Sequence, residues 1–215
     1  MKNRESLRKL VLMAMLAAIA YLLMVAIRIP VVLFLKYEPK DVVITIGGFL
    51  LGPMASLVIS GVVSLIEMVS VSETGIIGCL MNFLSTCCFA CTAALVYKKK
   101  RTITGAIFGL LTGSVLTIGV MLLWNWLITP LYMGGTREAV AAMLLPVFLP
   151  FNALKVGLNS ALVLVLYKPL TTGLRKTGLL PKTSGHGQIK TGVYLLGFGL
   201  LVTCILFLLV LQGII

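Results

Sequence analysis

Residues 149–167 read LPFNALKVGLNSALVLVLY, an apolar stretch long enough for a membrane helix and interrupted by one lysine. Asn152 lies three residues before Lys155 and Asn159 lies four after it, so a helix places the three side chains on one face. An ammonium group in hydrocarbon costs roughly 2.5 kcal/mol or more and therefore usually faces a pocket or pathway. The stretch predicts a polar ligand site enclosed in a bundle of membrane helices.

The whole chain has the composition of an integral membrane protein. Of its 215 residues, 60% are hydrophobic and 11% are charged, whereas an average soluble domain has about 25% charged residues. Long apolar runs alternate with short basic segments, which predicts a single all-α polytopic membrane protein. The first run continues to Ile27, so we interpret it as an uncleaved helix and not as a signal peptide.

The distribution of basic residues predicts the orientation in the membrane. The formal net charge is +12, and of 18 Lys and Arg residues we assign 13 to one side of the membrane, four to the other side and Lys155 to its interior. The positive-inside rule then puts the N-terminus in the cytoplasm. This asymmetry explains the basic charge without a nucleic-acid partner.

Six helices and one additional helix are predicted from the apolar runs. The six cover about 7–27, 42–51, 54–71, 75–97, 103–128 and 147–170. Residues 171–190 form a basic cytoplasmic linker, and residues 191–215 form an additional C-terminal transmembrane helix that ends outside. The chain thus divides into a membrane domain at 1–170, the linker and the last helix.

The second predicted helix, at 42–51, has only ten residues, which is short for a membrane crossing. A single re-entrant or broken helix over 42–71 fits nearly as well by length. We prefer two crossings joined at Gly52-Pro53, because they return Lys98 and Arg101 to the cytoplasm. In the predicted helix at 103–128, Gly105, Gly109 and Gly113 recur every four residues and predict a close contact with another helix.

Polar residues gather in the outer half of this arrangement and predict a pocket that opens outward. Each has an alternative: Glu38 and Asp41 fit solvated loop charges, and the tryptophans at 124 and 126 fit an interfacial belt. Glu67 continues a serine stripe and fits a helix contact close enough to the headgroups to escape burial. The long loop at 28–41 is a candidate lid over the pocket.

Motifs for catalysis are absent from the sequence. The chain has no Gly-Lys dipeptide and hence no P-loop lysine, and its single histidine, His186, lies in the predicted linker. Cys88 and Cys91 have the spacing of a metal site, but without nearby histidine or carboxylate we interpret them as helix-packing residues. We predict no catalytic residue, no metal site and no enzyme; binding or transport is favoured.

Four motifs in order carry a family resemblance. They are LKYEPKD at 35–41, IGGFLLGP at 46–53, NWLITPLY at 125–132 and LPFNALK at 149–155. Together they resemble the riboflavin-specific substrate-binding subunits, or S components, of energy-coupling factor (ECF) transporters over about 7–170. The resemblance implies a six-helix S-component bundle in a bacterial cell membrane. The additional C-terminal helix lies outside that pattern.

Ligand-binding roles follow from the resemblance alone. Glu38 and Asp41 match loop positions that approach the flavin, and Asn125, Asn152 and Lys155 match residues that hydrogen-bond its ring or ribityl chain. Riboflavin would be a transported ligand and not a cofactor; whether FMN also binds stays open. The alternatives are an S component for another vitamin, a stand-alone secondary transporter and, less favoured, a membrane enzyme acting on lipid.

The resemblance also implies protein partners. Transport would require a transmembrane coupling subunit and two ATP-binding subunits, which agrees with the missing P-loop. Ala14 and Ala18 match the small-residue motif through which such subunits dock on the coupling protein, and small residues permit close helix approach. The remaining partner is the lipid bilayer.

Overall fold

The computed structural model describes residues 2–71, 74–133, 136–176 and 191–214, and these are almost entirely helical. The elements, in chain order, are α1 (Lys2–Ala26), β1 (Ile29–Val32), β2 (Leu35–Tyr37), α2 (Lys40–Leu51), α3 (Pro53–Ser70), α4 (Gly75–Thr86), α5 (Thr92–Lys99), α6 (Ile103–Leu127), α7 (Thr129–Met133), α8 (Arg137–Met143), α9 (Leu149–Lys176) and α10 (Thr191–Leu211). A π-helical turn at Cys87–Cys91 joins α4 to α5, and another at Leu144–Phe148 joins α8 to α9.

Among the described residues, six helical stretches are long and apolar enough to cross a membrane, which confirms the prediction of a multi-pass membrane protein. The 12-residue α2 is not among them, because at 1.5 Å per residue it measures only about 18 Å. Its residues from Lys40 to Phe49 are all buried, so α2 is the central helix of the bundle. The reversal at Gly52-Pro53 is confirmed: Gly52 has φ +100°, and Pro53 is the first residue of α3.

Glycines on α6 allow the predicted close helix contact. A Cβ atom added at Gly109 would lie 2.6 Å from the Ala93 carbonyl oxygen, and one at Gly113 would lie 2.6 Å from that of Phe89. Real Cβ atoms do not come so near to backbone atoms. Only glycine at these two positions therefore lets α6 pack at the observed distance against α5 and the π-helical turn before it.

The segment between α1 and α2, part of the long loop at 28–41, is structured. β1 and β2 form an antiparallel hairpin in which Ile29 pairs with Tyr37. Its buried side chains Val31 and Tyr37 pack in one apolar cluster with Phe151 and Leu154 of α9. We call this end of the bundle the hairpin end, and the opposite end, where α1 begins, the basic end.

The additional C-terminal helix is present and packs along α9. A Cβ atom at Gly157 would lie 2.8 Å from Cys204 Sγ, which marks a close approach of the two helices. Near its end, Gln212 Nε2 donates a 2.6 Å hydrogen bond to the Pro30 carbonyl of the hairpin. Thus α10 supports both α9 and the hairpin.

The boundary before the predicted linker differs from the expectation. α9 continues to Lys176 instead of ending near residue 170, although it contains Pro169. A proline inside a helix removes one backbone hydrogen bond and crowds the carbonyl four residues before it, yet here the helix continues beyond it for seven residues. Residues 177–190, including His186, lie outside the described residues.

Candidate ligand-binding site

Lys155 faces the interior of the bundle. Its Nζ lies 3.5 Å from Asp41 Oδ2 and donates to Ser85 Oγ, also at 3.5 Å. The side chain of Lys155 is 12% exposed and that of Asp41 is 1% exposed. Charge-assisted hydrogen bonds are usually about 2.7–2.9 Å long. The ammonium is therefore balanced by a carboxylate but held only loosely.

Asp41 joins helices that are remote in sequence. Its carboxylate accepts from Thr86 Oγ1 at 2.6 Å and from Asn159 Nδ2 at 3.3 Å. Asp41 lies in the first turn of α2, where the helix dipole favours a negative charge. The carboxylate therefore fixes α2, α4 and α9 around one point.

Tyr37 extends this network into the hairpin. Its hydroxyl donates to Asn159 Oδ1 at 2.9 Å. Burial, and secondly the negative charge of Asp41, raise the pKa of the Tyr37 phenol above its ordinary value. The phenol therefore stays protonated at neutral pH and remains a donor to Asn159.

A π-helical turn follows directly on the two hydroxyl residues of α4. Ser85 and Thr86 are buried beside Lys155 and Asp41, and the turn at Cys87–Cys91 begins at the next residue. A π turn contains an extra residue and displaces the side chains that follow it. Ser85 and Thr86 can therefore face the charged pair while Phe89 packs in the core with α6.

A second buried cation, Lys40, is the residue that sequence reasoning missed. It is 1% exposed, and its Nζ is bonded to Glu67 Oε2 and lies 3.1 Å from Glu38 Oε2. Glu67 Oε1 accepts from Asn82 Nδ2 at 2.6 Å. Arg28 Nε lies 3.0 Å from Glu38 Oε1 and continues the network toward the hairpin surface. The ammonium group of Lys40 is thus held at short distance by two carboxylates.

The expectation that Glu67 escapes burial near the headgroups is wrong. Glu67 is 4% exposed. The burial is tolerated because Lys40 supplies an opposite charge and Asn82 supplies a further hydrogen bond. The alternative that Glu38 and Asp41 are ordinary solvated loop charges is also wrong, since both take part in buried ion pairs.

The charged residues of these two networks balance. Three cations face three carboxylates: Arg28, Lys40 and Lys155 with Glu38, Asp41 and Glu67. These six residues therefore have a formal net charge of zero, so this region is polar but electrically neutral.

Asn125 and Asn152 are buried near the same end but bond to residues only four positions away in the sequence. Asn125 Nδ2 donates to the Met121 carbonyl at 2.7 Å, and its Oδ1 accepts from Thr129 at 2.9 Å. Asn152 Nδ2 donates to the Phe148 carbonyl at 2.7 Å. Within the described ranges, neither amide is hydrogen-bonded to Lys155 or Asp41. Each amide still has one N–H free of these bonds, because an amide nitrogen carries two.

Ala14 and Ala18 lie on the outside of the bundle. Both are exposed on α1, whereas Leu12, Leu16 and Ala20 of the same helix are buried in the core. The small-residue pair therefore forms part of a smooth outer strip that another helix can approach closely.

Comparisons with known proteins agree on one family. The model of the ECF transporter substrate-specific component matches residues 8–167. The chain is 27% identical over 184 residues to the riboflavin transporter RibU of Staphylococcus aureus (strain TCH60), covering 81% of this chain and 96% of that protein. It is 27% identical over 160 residues to the riboflavin transporter FmnP of Bacillus subtilis (strain 168), covering 69% and 84%.

A solved structure agrees with these sequence matches. It is an S component of a bacterial ECF transporter, with a TM-score of 0.67 and 26% identity to this chain. The match covers 81% of this chain and 99% of that one. The family match ends at residue 167, before α10 begins.

Proposed function

This chain belongs to the family of ECF transporter substrate-specific components, and from that premise we propose that it binds riboflavin at the hairpin end. The observation that carries the proposal is the buried, loosely held Lys155 between Asp41 and Ser85. The names of the relatives RibU and FmnP support riboflavin as the ligand. The subunit binds and delivers the vitamin and performs no chemistry on it.

The ammonium of Lys155 suits a flavin oxygen. Its two contacts are both 3.5 Å long, so a ring carbonyl or ribityl hydroxyl can approach more closely than either present partner. Lys40 is different, because two carboxylates already satisfy it. We therefore assign ligand binding to Lys155 and anchoring of the loop to Lys40.

Asn125 and Asn152 suit the uracil-like edge of the isoalloxazine ring. That edge alternates donors and acceptors, and each asparagine amide keeps an N–H that its local hydrogen bond does not use. Trp124 adds a donor, because its buried Nε1 has no hydrogen-bond partner in the described part of the chain. In this assignment Glu38 and Asp41 accept from the ribityl hydroxyls.

Fluorescence titration of the purified protein tests this proposal. Free riboflavin fluorescence should be quenched to saturation at one flavin per chain, and thiamine and biotin should not compete. Mass spectrometry of small molecules that copurify should find riboflavin. A protein that leaves flavin emission unchanged while retaining its fold would contradict the proposal.

Import would need partner subunits and a defined orientation. We propose that the exposed Ala14 and Ala18 dock on a transmembrane coupling subunit that works with two ATP-binding subunits, since this chain has no P-loop lysine. The N-terminus would be cytoplasmic, and the hairpin end would face outward. Proteoliposomes containing the chain alone should bind riboflavin but not accumulate it; accumulation without ATP would favour a stand-alone transporter.

A further inference from the structure

A cavity lies at the basic end of the bundle, remote from the hairpin. Its volume is about 270 Å³, and it lies between the start of α1, the turn from α2 to α3 and the end of α5. Three cationic residues line it, one from each of α1, α5 and the segment after α5: Lys9, Lys98 and Arg101. We call this cavity the basic pocket.

The charges of the basic pocket are unbalanced. No carboxylate lines it, and the ion pairs found between described residues use none of its three cations. At the hairpin end, by contrast, three cations meet three carboxylates. Like charges around one concave surface raise its electrostatic potential and attract an anion. The pocket therefore has the electrostatics of an anion site.

The backbone adds to this preference. The turn into α3 passes through Gly52, whose φ of +100° favours glycine, and Pro53 then begins the helix. Both residues line the pocket. The positive end of the α3 dipole therefore lies at the cavity beside the three cations.

The remaining walls are apolar and belong to the membrane boundary. The Phe49 and Tyr97 rings pack with their centroids 4.5 Å apart and form one wall. Met54, also in the lining, is 68% exposed at the outside of the bundle. Lysine and arginine at the ends of membrane helices place their charges at the headgroup level while their stems cover apolar surface. The pocket thus combines apolar walls with cations at the expected headgroup depth.

We propose that the basic pocket binds a phosphate-bearing anion, and that the phosphodiester headgroup of an anionic membrane lipid is its source. The position at the membrane boundary favours the lipid, because its acyl chains can remain in the bilayer while the phosphate reaches Lys9, Lys98 and Arg101. The same groups would also recognise free phosphate, and the experiment below distinguishes free phosphate from the lipid headgroup. The site is independent of the flavin site.

Native mass spectrometry of the purified chain, titrated with phosphatidylglycerol and separately with phosphatidylcholine, tests the proposal. The triple variant Lys9→Gln, Lys98→Gln, Arg101→Gln removes the lining charges. The matched control Arg8→Gln, Lys99→Gln, Lys100→Gln removes three exposed charges from adjacent positions outside the lining. We expect the unmodified chain to bind phosphatidylglycerol more tightly than phosphatidylcholine. Phosphatidylglycerol binding should be about tenfold weaker in the first variant and should change by less than about twofold in the control.

Equal losses in the two variants would overturn the proposal, because they would show general surface attraction and not a site. Equal affinities of the unmodified chain for the two lipids would overturn the membrane lipid as the source of the phosphate. In a further arm, inorganic phosphate is titrated while the melting temperature is followed. If phosphate raises the melting temperature of the unmodified chain and of the control but not of the pocket variant, and the two lipids bind equally, the anion site stands and the lipid source is rejected. Riboflavin quenching by the pocket variant reports that its fold is intact.

Discussion

Lys155 Nζ and Asp41 Oδ2 face each other at 3.5 Å inside the bundle, and this pair connects the loop-proximal end of α2 to the second turn of α9. Lys40, one residue before Asp41, is held by two other carboxylates. Two adjacent residues of the chain thus serve separate networks. We interpret the tightly held network as the support of the loop and the loosely held pair as the part that meets the ligand.

Replacing Lys155 with methionine should weaken riboflavin binding. A hydrogen bond to a charged group contributes about 1.5–3 kcal/mol, so we expect Kd to rise by about 10- to 100-fold. Fluorescence titration measures this change. An unchanged Kd would remove Lys155 from the site.

Stability has to be separated from binding in this variant, because Lys155→Met also leaves Asp41 buried without its cation. The double variant Asp41→Asn, Lys155→Met removes both charges and should recover most of the lost melting temperature. We expect it to bind riboflavin no better than the single variant. Recovery of affinity together with stability would mean that Lys155 acts only on the fold.

Replacing Lys40 with methionine should destabilise the ligand-free protein. Removing one partner of a buried ion pair costs about 3–5 kcal/mol, because Glu67 would remain as an unpaired buried charge. The free energy of unfolding in detergent measures this cost, and hydrogen exchange should show faster opening of the hairpin. The double variant Lys40→Met, Glu67→Met should regain much of the stability. As a control, Ser70→Ala on the exposed end of α3 should change little.

The sequence predicts the elements of this fold better than their contacts. Apolar runs predict the helices, and the four-residue spacing of Gly109 and Gly113 predicts the packing of α6, because both are local patterns. The bond between Lys40 and Glu67 spans 27 residues and depends on how α2 and α3 align. Nothing in the local sequence sets that alignment, so the sequence does not reveal the buried ion pair of Lys40.

The candidate site shows the same division. Helical periodicity predicts one face for Asn152, Lys155 and Asn159, and Lys155 and Asn159 do meet at Asp41. Asn152 instead donates to the Phe148 carbonyl, inside the π turn that contains Pro146. This bond to a carbonyl four residues earlier is local to its own helical turn, and the spacing of polar residues does not predict which partner such an amide takes.

Replacing Asn152 with leucine should reduce riboflavin affinity without a large loss of stability. The substitution removes the amide that would face the ring, and one missing hydrogen bond costs about 0.5–1.5 kcal/mol or more if a ligand group stays buried and unpaired. We expect Kd to rise about 3- to 30-fold. Thr112→Ala, which removes a hydroxyl on the exposed side of α6, is the matched control. Equal Kd values for the two variants would contradict the role of Asn152.

Riboflavin should bind more tightly than FMN. The buried charges around the site sum to zero, whereas the FMN phosphate carries about −1.5 to −2 charges at pH 7. We expect at least about a tenfold difference in Kd at physiological salt. Asp41→Asn removes one negative charge and should narrow the difference, even if both affinities fall. Competition titration with the two flavins measures the ratio, and tighter binding of FMN would show that charge balance does not govern selectivity.

Replacing Ala14 and Ala18 with leucine should separate binding from transport. Both residues are exposed on α1, so larger side chains can be accommodated without disturbing the core, and riboflavin quenching should remain unchanged. A helix docked on this strip would be displaced, because small residues set the closest approach of two membrane helices. ATP-dependent uptake in proteoliposomes containing the coupling and ATP-binding subunits should therefore fall by about tenfold or more. Ala142→Leu, at an exposed position of α8, should retain uptake. Normal uptake by the α1 variant would exclude this strip as the docking surface, while leaving the flavin site untouched.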